Sequence, residues 1–82
     1  MTSHRIRTPD QLRSVLRRLR KAQELSQTDL GRKIGLSQER ISAIETHPER
    51  VTIDQLLTLL MALDTELVIA PRAVQRGSPG SW

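Results

Sequence analysis

The sequence predicts an all-α domain of four to five short helices, with one C-terminal β-strand that pairs across a homodimer. Three observations predict it. Apolar residues recur at helical spacing behind Thr and Ser caps, Gly35 and Pro48 interrupt that spacing, and after Asp64 the pattern gives way to one short apolar run, "TELVIA".

The first helix opens at "TPDQL". Thr8 is placed to cap it, Pro9 occupies the first helical position and Gln11 stands three residues after the cap, which together make a capping box. Leu12, Val15, Leu16 and Leu19 then line one face, while Arg13, Arg17, Arg18 and Lys21 fall mostly outside it. Ser26 caps a second helix over about 27–34 that carries Leu30 and Ile34 four apart, and Gly35 is its left-handed stop. Ser37 caps a third helix whose apolar residues are Ile41 and Ile44, leaving Gln38, Glu39, Arg40 and Ser42 to project elsewhere. Pro48 ends that helix, and Thr52 with Gln55 predicts another capping box opening "IDQLLTLLMAL". The stripe Ile53, Leu56, Leu57, Leu59, Leu60 and Leu63 is too wide for three short helices to cover, so a second surface is expected to hide part of it.

A strand cannot satisfy its own backbone groups, and the chain offers no second strand unless "HRIR" near its start serves as one. The simplest partner for "TELVIA" is the same strand of another copy. An isologous dimer would then be built on Leu60, Leu63, Leu67, Val68 and Ile69. The expected organisation is one domain over 1–71 and a flexible tail over 72–82, "RAVQRGSPGSW", which contains Trp82, the single aromatic residue.

Charge narrows the partners. Residues 1–50 hold 11 Lys/Arg against 6 Asp/Glu, a net +5, whereas residues 51–82 hold 2 against 3. Eleven of the thirteen basic residues are arginine, which grips phosphate bidentately. That favours a polyanion, although a merely solvated helix face would produce the same imbalance. The chain contains no cysteine, which argues against a disulfide framework or thiolate metal site, and no cofactor or metal is expected. No apolar run reaches the roughly 18 residues of a membrane span, so neither a membrane partner nor a leader is expected and the expected location is the bacterial cytoplasm. Nothing resembles a phosphate-binding loop, a metalloprotease motif or an enclosed carboxylate pair. His4 and His47 fall in an arm and a turn, so no catalysis and no small-molecule substrate are expected.

The twenty residues from Gln27 carry the most specific pattern. Counting Gln27 as first, Leu30 is fourth, Gly31 fifth, Ile34 eighth, Gly35 ninth, Leu36 tenth, Ile41 fifteenth and Ile44 eighteenth. This resembles the lambda-repressor-like helix-turn-helix of the Cro/Xre family: Gly31 lets the helices approach, Gly35 turns the chain, and the aliphatic residues hold the angle. The resemblance implies that the start of the third helix reads base edges through Ser37, Gln38, Glu39 and Ser42. It also implies that Gln27, Arg32, Lys33 and Arg40 meet phosphates, and that Arg20 and Glu45 form an architectural ion pair. A glutamine at 38 suits the N6 and N7 edge of adenine.

One branch, the HipB-like antitoxins, resembles more of the chain through "TPDQL", the turn "ETHPE", the single strand and a tail closing in tryptophan. The resemblance implies a homodimer on palindromic operator DNA that represses its own operon and restrains a HipA-like serine/threonine kinase toxin, with Trp82 docked on the kinase. Other readings of the same residues are a stand-alone Cro-like repressor, a protein-interaction module with incidental DNA affinity, and a Trp82 that is a disordered end or a cloning remnant.

Overall fold

The computed structural model of the chain describes residues 3–72. Four α-helices and one 3-10 turn follow one another: α1 Pro9–Ala22, α2 Gln27–Ile34, α3 Gln38–Thr46, the turn Pro48–Arg50, and α4 Ile53–Ala62. Among the described residues there is no β-strand, and no helix is long and apolar enough to cross a membrane.

Local chemistry sets the boundaries. The Thr8 hydroxyl accepts from the Gln11 N–H at 3.2 Å while the Gln11 side chain accepts from the Thr8 N–H at 3.1 Å, the predicted box. An unforeseen second box opens α2. Ser26 Oγ accepts from the Asp29 N–H at 2.9 Å, and Asp29 accepts from the Ser26 N–H at 3.0 Å. The Ser26 backbone N–H first, and its side chain second, hold the Asp29 carboxyl below its ordinary pKa, so the first turn of α2 carries a negative charge at neutral pH. At Thr52 only half of the expected box forms. The hydroxyl accepts from the Gln55 N–H at 3.1 Å, but the Gln55 side chain turns away to accept from Arg40 Nη2 at 2.7 Å. A charged donor outcompetes a neutral backbone N–H for that carbonyl.

The core gathers Leu16 of α1, Leu30 of α2, Ile41 and Ile44 of α3, and Leu56, Leu59, Leu60 and Leu63 in and after α4, all buried. Removing each such side chain from water stabilises the fold by about 2 kcal/mol, with Leu12, Leu19, Leu25, Ile34, Leu36 and Val51 sealing the edges. Leu60 and Leu63, expected at a dimer surface, are only 5% and 1% exposed and face inward. The apolar face that α4 leaves uncovered is Ile53, Leu57 and Met61, four residues apart along the helix and 65%, 39% and 77% exposed. A stripe that circles a helix must give one side to its own core, and the core shared with α1, α2 and α3 claims the side carrying Leu56, Leu59, Leu60 and Leu63. Leu67, Val68 and Ile69 are exposed in the chain after α4, which has no regular secondary structure. Residues 73–82 of the expected tail, Trp82 among them, lie outside the described residues.

Candidate nucleic-acid interface

Two glycines set the angle between α2 and α3. Gly35 adopts φ +73° and ψ +30°, the left-handed conformation that ends α2. Gly31 is needed for space: a Cβ there would stand 2.3 Å from the Leu36 carbonyl oxygen and 3.4 Å from Ile41 Cγ1. The Leu36 N–H donates to the Gly31 carbonyl at 2.9 Å, closing the turn onto the helix it has just left. Beyond it Ser37 caps α3, its hydroxyl accepting from the Arg40 N–H at 3.1 Å. That bond occupies the Ser37 hydroxyl as an acceptor and leaves it one proton to donate.

The first turn of α3 presents Gln38 and Glu39 exposed, whereas Arg40 and Ser42 are half-buried. Gln38 Nε2 donates to Gln27 Oε1, joining the predicted base-reading residue to the predicted phosphate residue at the start of α2. Gln27 Nε2 in turn donates to Glu45 Oε1 at 3.2 Å. Arg40 is tethered to α4 through Gln55, with the remaining guanidinium donors unspent on that bond. Arg32 is exposed in the last turn of α2, and Lys33 reaches the Ala62 carbonyl at the end of α4 at 3.5 Å, a contact that suits the negative end of that helix.

Beneath this surface sits the ion pair. Glu45 is fully buried and takes Arg20 Nε at 2.5 Å and Arg20 Nη2 at 3.1 Å, a two-pronged contact between α1 and α3. Arg20 Nη1 also donates to the Leu25 carbonyl at 2.9 Å, so one guanidinium ties α1, the following loop and α3 together.

Arg17 is a neighbour that the sequence pattern did not single out. Its Nε lies 4.0 Å from Glu45 Oε1, the oxygen that also accepts from Gln27, while its side chain remains 48% exposed, a half-free cation on the same carboxylate. Together with Arg13, Arg18 and Lys21 it lines a shallow basic groove along α1. Its place one turn before Arg20 is the signal that could have found it, because residues three apart share a helix side. Among the described residues no cluster of His, Cys, Asp or Glu is arranged to hold a metal.

A family model described as helix-turn-helix matches residues 16–69. An uncharacterized HTH-type transcriptional regulator, y4dL, of Sinorhizobium fredii is 40% identical over 57 residues, a match that spans 70% of this chain and 29% of that protein's length. Antitoxin HipB of Escherichia coli K12 is 28% identical over 69 residues, covering 84% of this chain and 78% of HipB. Among solved structures, a chain of a HipB-O4 20mer complex superposes with a TM-score of 0.79 at 25% identity, over 87% of this chain and all of that one. A chain of a HipA-HipB-O2-O3 complex superposes equally well, with a TM-score of 0.79 at 25% identity and 87% of this chain covered.

Proposed function

Because this chain belongs to the helix-turn-helix family and is a HipB-like member of it, we propose that it is a transcriptional regulator that binds operator DNA, and an antitoxin that restrains a HipA-like kinase. The observation that carries the DNA reading is the exposed amide of Gln38 at the first turn of α3, held by a turn in which Gly31 leaves no room for a Cβ and Gly35 takes the left-handed conformation. Gln38 is assigned to an adenine edge, with Glu39 and Ser42 beside it, and Ser37 donates its remaining proton. Gln27, Arg32 and Arg17 are assigned to phosphates, with Arg40 and Lys33 contributing the donors that Gln55 and Ala62 leave unused. Phosphate contacts position a protein on DNA without specifying sequence, so these assignments separate in one experiment. Gln38→Ala is expected to lose about 1–3 kcal/mol of discrimination at one base pair while binding to random DNA at the same salt changes little. Equal losses on operator and random DNA would remove Gln38 from base reading.

The regulator is proposed to act as a two-fold dimer. Ile53, Leu57 and Met61 on α4, with Leu67, Val68 and Ile69 after it, form a run of exposed apolar side chains that a second copy would cover. In that dimer residues 65–70 pair as antiparallel strands, and the two α3 helices enter successive major grooves about 34 Å apart. Met61→Lys on the helix, or Val68→Pro in the strand, is expected to yield a monomer at micromolar concentration. Light scattering that returns the wild-type mass for both variants would overturn this interface.

Likeness to HipB supports the kinase partner, and we assign the contact to Trp82, which lies outside the described residues. An indole seated in a pocket is a common interface anchor. Co-purification from native cells is expected to recover a kinase-sized protein with the wild-type chain and far less with Trp82→Ala. Recovery of operator binding with no partner in either case would leave a repressor alone.

A further inference from the structure

Where α3 meets α4 a cation is held by a neutral amide and not by a carboxylate. Arg40 Nη2 donates to Gln55 Oε1 at 2.7 Å, and both residues are half-buried. Gln55 gives up the return half of the α4 capping box to make this bond, while the Thr52 hydroxyl still takes the Gln55 backbone N–H at 3.1 Å. Arginines on α1 are placed differently. Arg20 and Arg17 face the buried Glu45 carboxylate at 2.5 and 4.0 Å, and Arg13 pairs with Asp10 at 2.9 Å. Among the described residues no carboxylate pairs with Arg40. Its charge is therefore uncancelled, its other guanidinium donors remain available, and its long side chain is already ordered.

We propose that Gln55 is a positioning residue that presents the Arg40 guanidinium to a DNA phosphate. The inference rests on the reading of α3 as the groove-facing helix, in whose first turn Arg40 follows Gln38 and Glu39. An arginine that is free in solvent loses its rotamer freedom when it meets a phosphate, which weakens each such contact by about three- to tenfold. Gln55 removes that cost in advance, because the guanidinium is immobilised before DNA arrives. A carboxylate at 55 would hold the cation more tightly, but it would cancel the charge that draws the phosphate and add a repulsion of its own. A neutral acceptor orders the guanidinium and leaves its field intact. Gln55 thus acts on DNA only through Arg40. Phosphates are alike in every sequence, so its effect falls on affinity and not on base choice.

Salt dependence separates positioning from charge. The slope of log affinity against log salt counts the phosphates neutralised, about 0.9 for each. The full chain is titrated with operator and random duplexes over a range of about 50 to 200 mM salt, as wild type, Gln55→Leu, Gln55→Glu and Arg40→Ala. The Thr52 cap uses only the backbone N–H at 55, so α4 keeps its start in every variant. Gln55→Leu is expected to bind about three- to tenfold more weakly per protomer, equally on both duplexes, with the wild-type slope, because Arg40 still reaches its phosphate. Arg40→Ala is expected to flatten the slope by about 0.9 per protomer, and Gln55→Glu to flatten it comparably, since it keeps the guanidinium in place but cancels its charge. A wild-type slope in Arg40→Ala or in Gln55→Glu would overturn the inference. Wild-type affinity in Gln55→Leu, or a loss confined to the operator, would overturn it equally.

A measurement on the free protein keeps this separable from the DNA-binding proposal. By NMR the Arg40 Nε–H is expected to show a heteronuclear NOE close to backbone values in the wild type, and to become as mobile as a solvent-exposed arginine in Gln55→Leu. An Arg40 that is already mobile in the wild type, or that is unchanged in Gln55→Leu, would overturn the positioning role whether or not the chain binds DNA. An ordered Arg40 in a wild-type chain that binds neither duplex would instead overturn the groove reading, and the role of Gln55 with it.

Discussion

Arg20→Ala is expected to destabilise the domain by about 3–5 kcal/mol, because it leaves Glu45 as a buried charge with no cation of its own. Glu45 has no exposed surface, and the Arg20 side chain is only 11% exposed, so water cannot replace the guanidinium without opening the contact between α1 and α3. Arg17 is the nearest substitute at 4.0 Å, but it would have to leave its half-exposed position to make a bidentate bond. Small domains hold together by only about 5 kcal/mol or a little more, so this one truncation removes much of the total. The pair is not itself the source of that stability: two apolar residues of matching shape would serve about as well, and the loss arises from removing one partner. Arg20→Lys should fall between, since an ammonium keeps the charge but gives up the fork that spans both Glu45 oxygens and the Leu25 carbonyl. Urea unfolding at fixed protein concentration reads both variants. A loss under about 1 kcal/mol for Arg20→Ala would mean that Arg17 or solvent takes over the role.

Gly31→Ala is the second large effect, and it should strike binding harder than stability. The added Cβ would sit 2.3 Å from the Leu36 carbonyl oxygen, a backbone atom that cannot rotate out of the way. Relief requires the 35–37 turn to move outward, at a cost of about 1–3 kcal/mol. It also carries the start of α3 away from α2. The Gln38–Gln27 contact depends on that separation, so operator affinity is expected to fall by at least about tenfold at temperatures where the variant is still folded. Gly35→Ala makes a useful contrast. Nothing lies within 4 Å of a Cβ at 35, and the penalty is only the left-handed backbone at φ +73°. That substitution should cost about 1–2 kcal/mol yet leave α3 where it is. Operator titration of both variants below their melting temperatures separates crowding from conformational strain. Full operator affinity in Gly31→Ala would show that the turn absorbs the methyl group without moving the recognition helix.

Sequence by itself determined the four helices and where they start, but not the strand expected over 65–70, which is absent among the described residues because a lone strand has no ladder partner within one copy. Caps act through one side chain and the backbone three residues on, so Thr8, Ser26, Ser37 and Thr52 could each be read in isolation, and Gly35 marked its own left-handed stop. The spacing from Gln27 to Ile44 carried the family, because the same few positions must be small, left-handed or aliphatic wherever two helices meet at this angle. Tertiary structure decided everything that depends on which side of an element faces what. Helical periodicity shows that α4 is apolar nearly all round, but only the packed stack reveals that Leu60 and Leu63 turn inward while Ile53, Leu57 and Met61 remain outside. Gln55 looked like half of a capping box until Arg40 was brought within reach of it from another helix. The hydrogen-bonded chain from Glu45 through Gln27 to Gln38 is the clearest case. Its members stand 18 and 11 residues apart, a separation with no period, and they meet because the turn at Gly31 and Gly35 folds α3 back over α2. Side-chain hydrogen bonds act over about 3 Å, whereas sequence patterns report on neighbours along the chain, so contacts of this kind become legible only once the helices are in place.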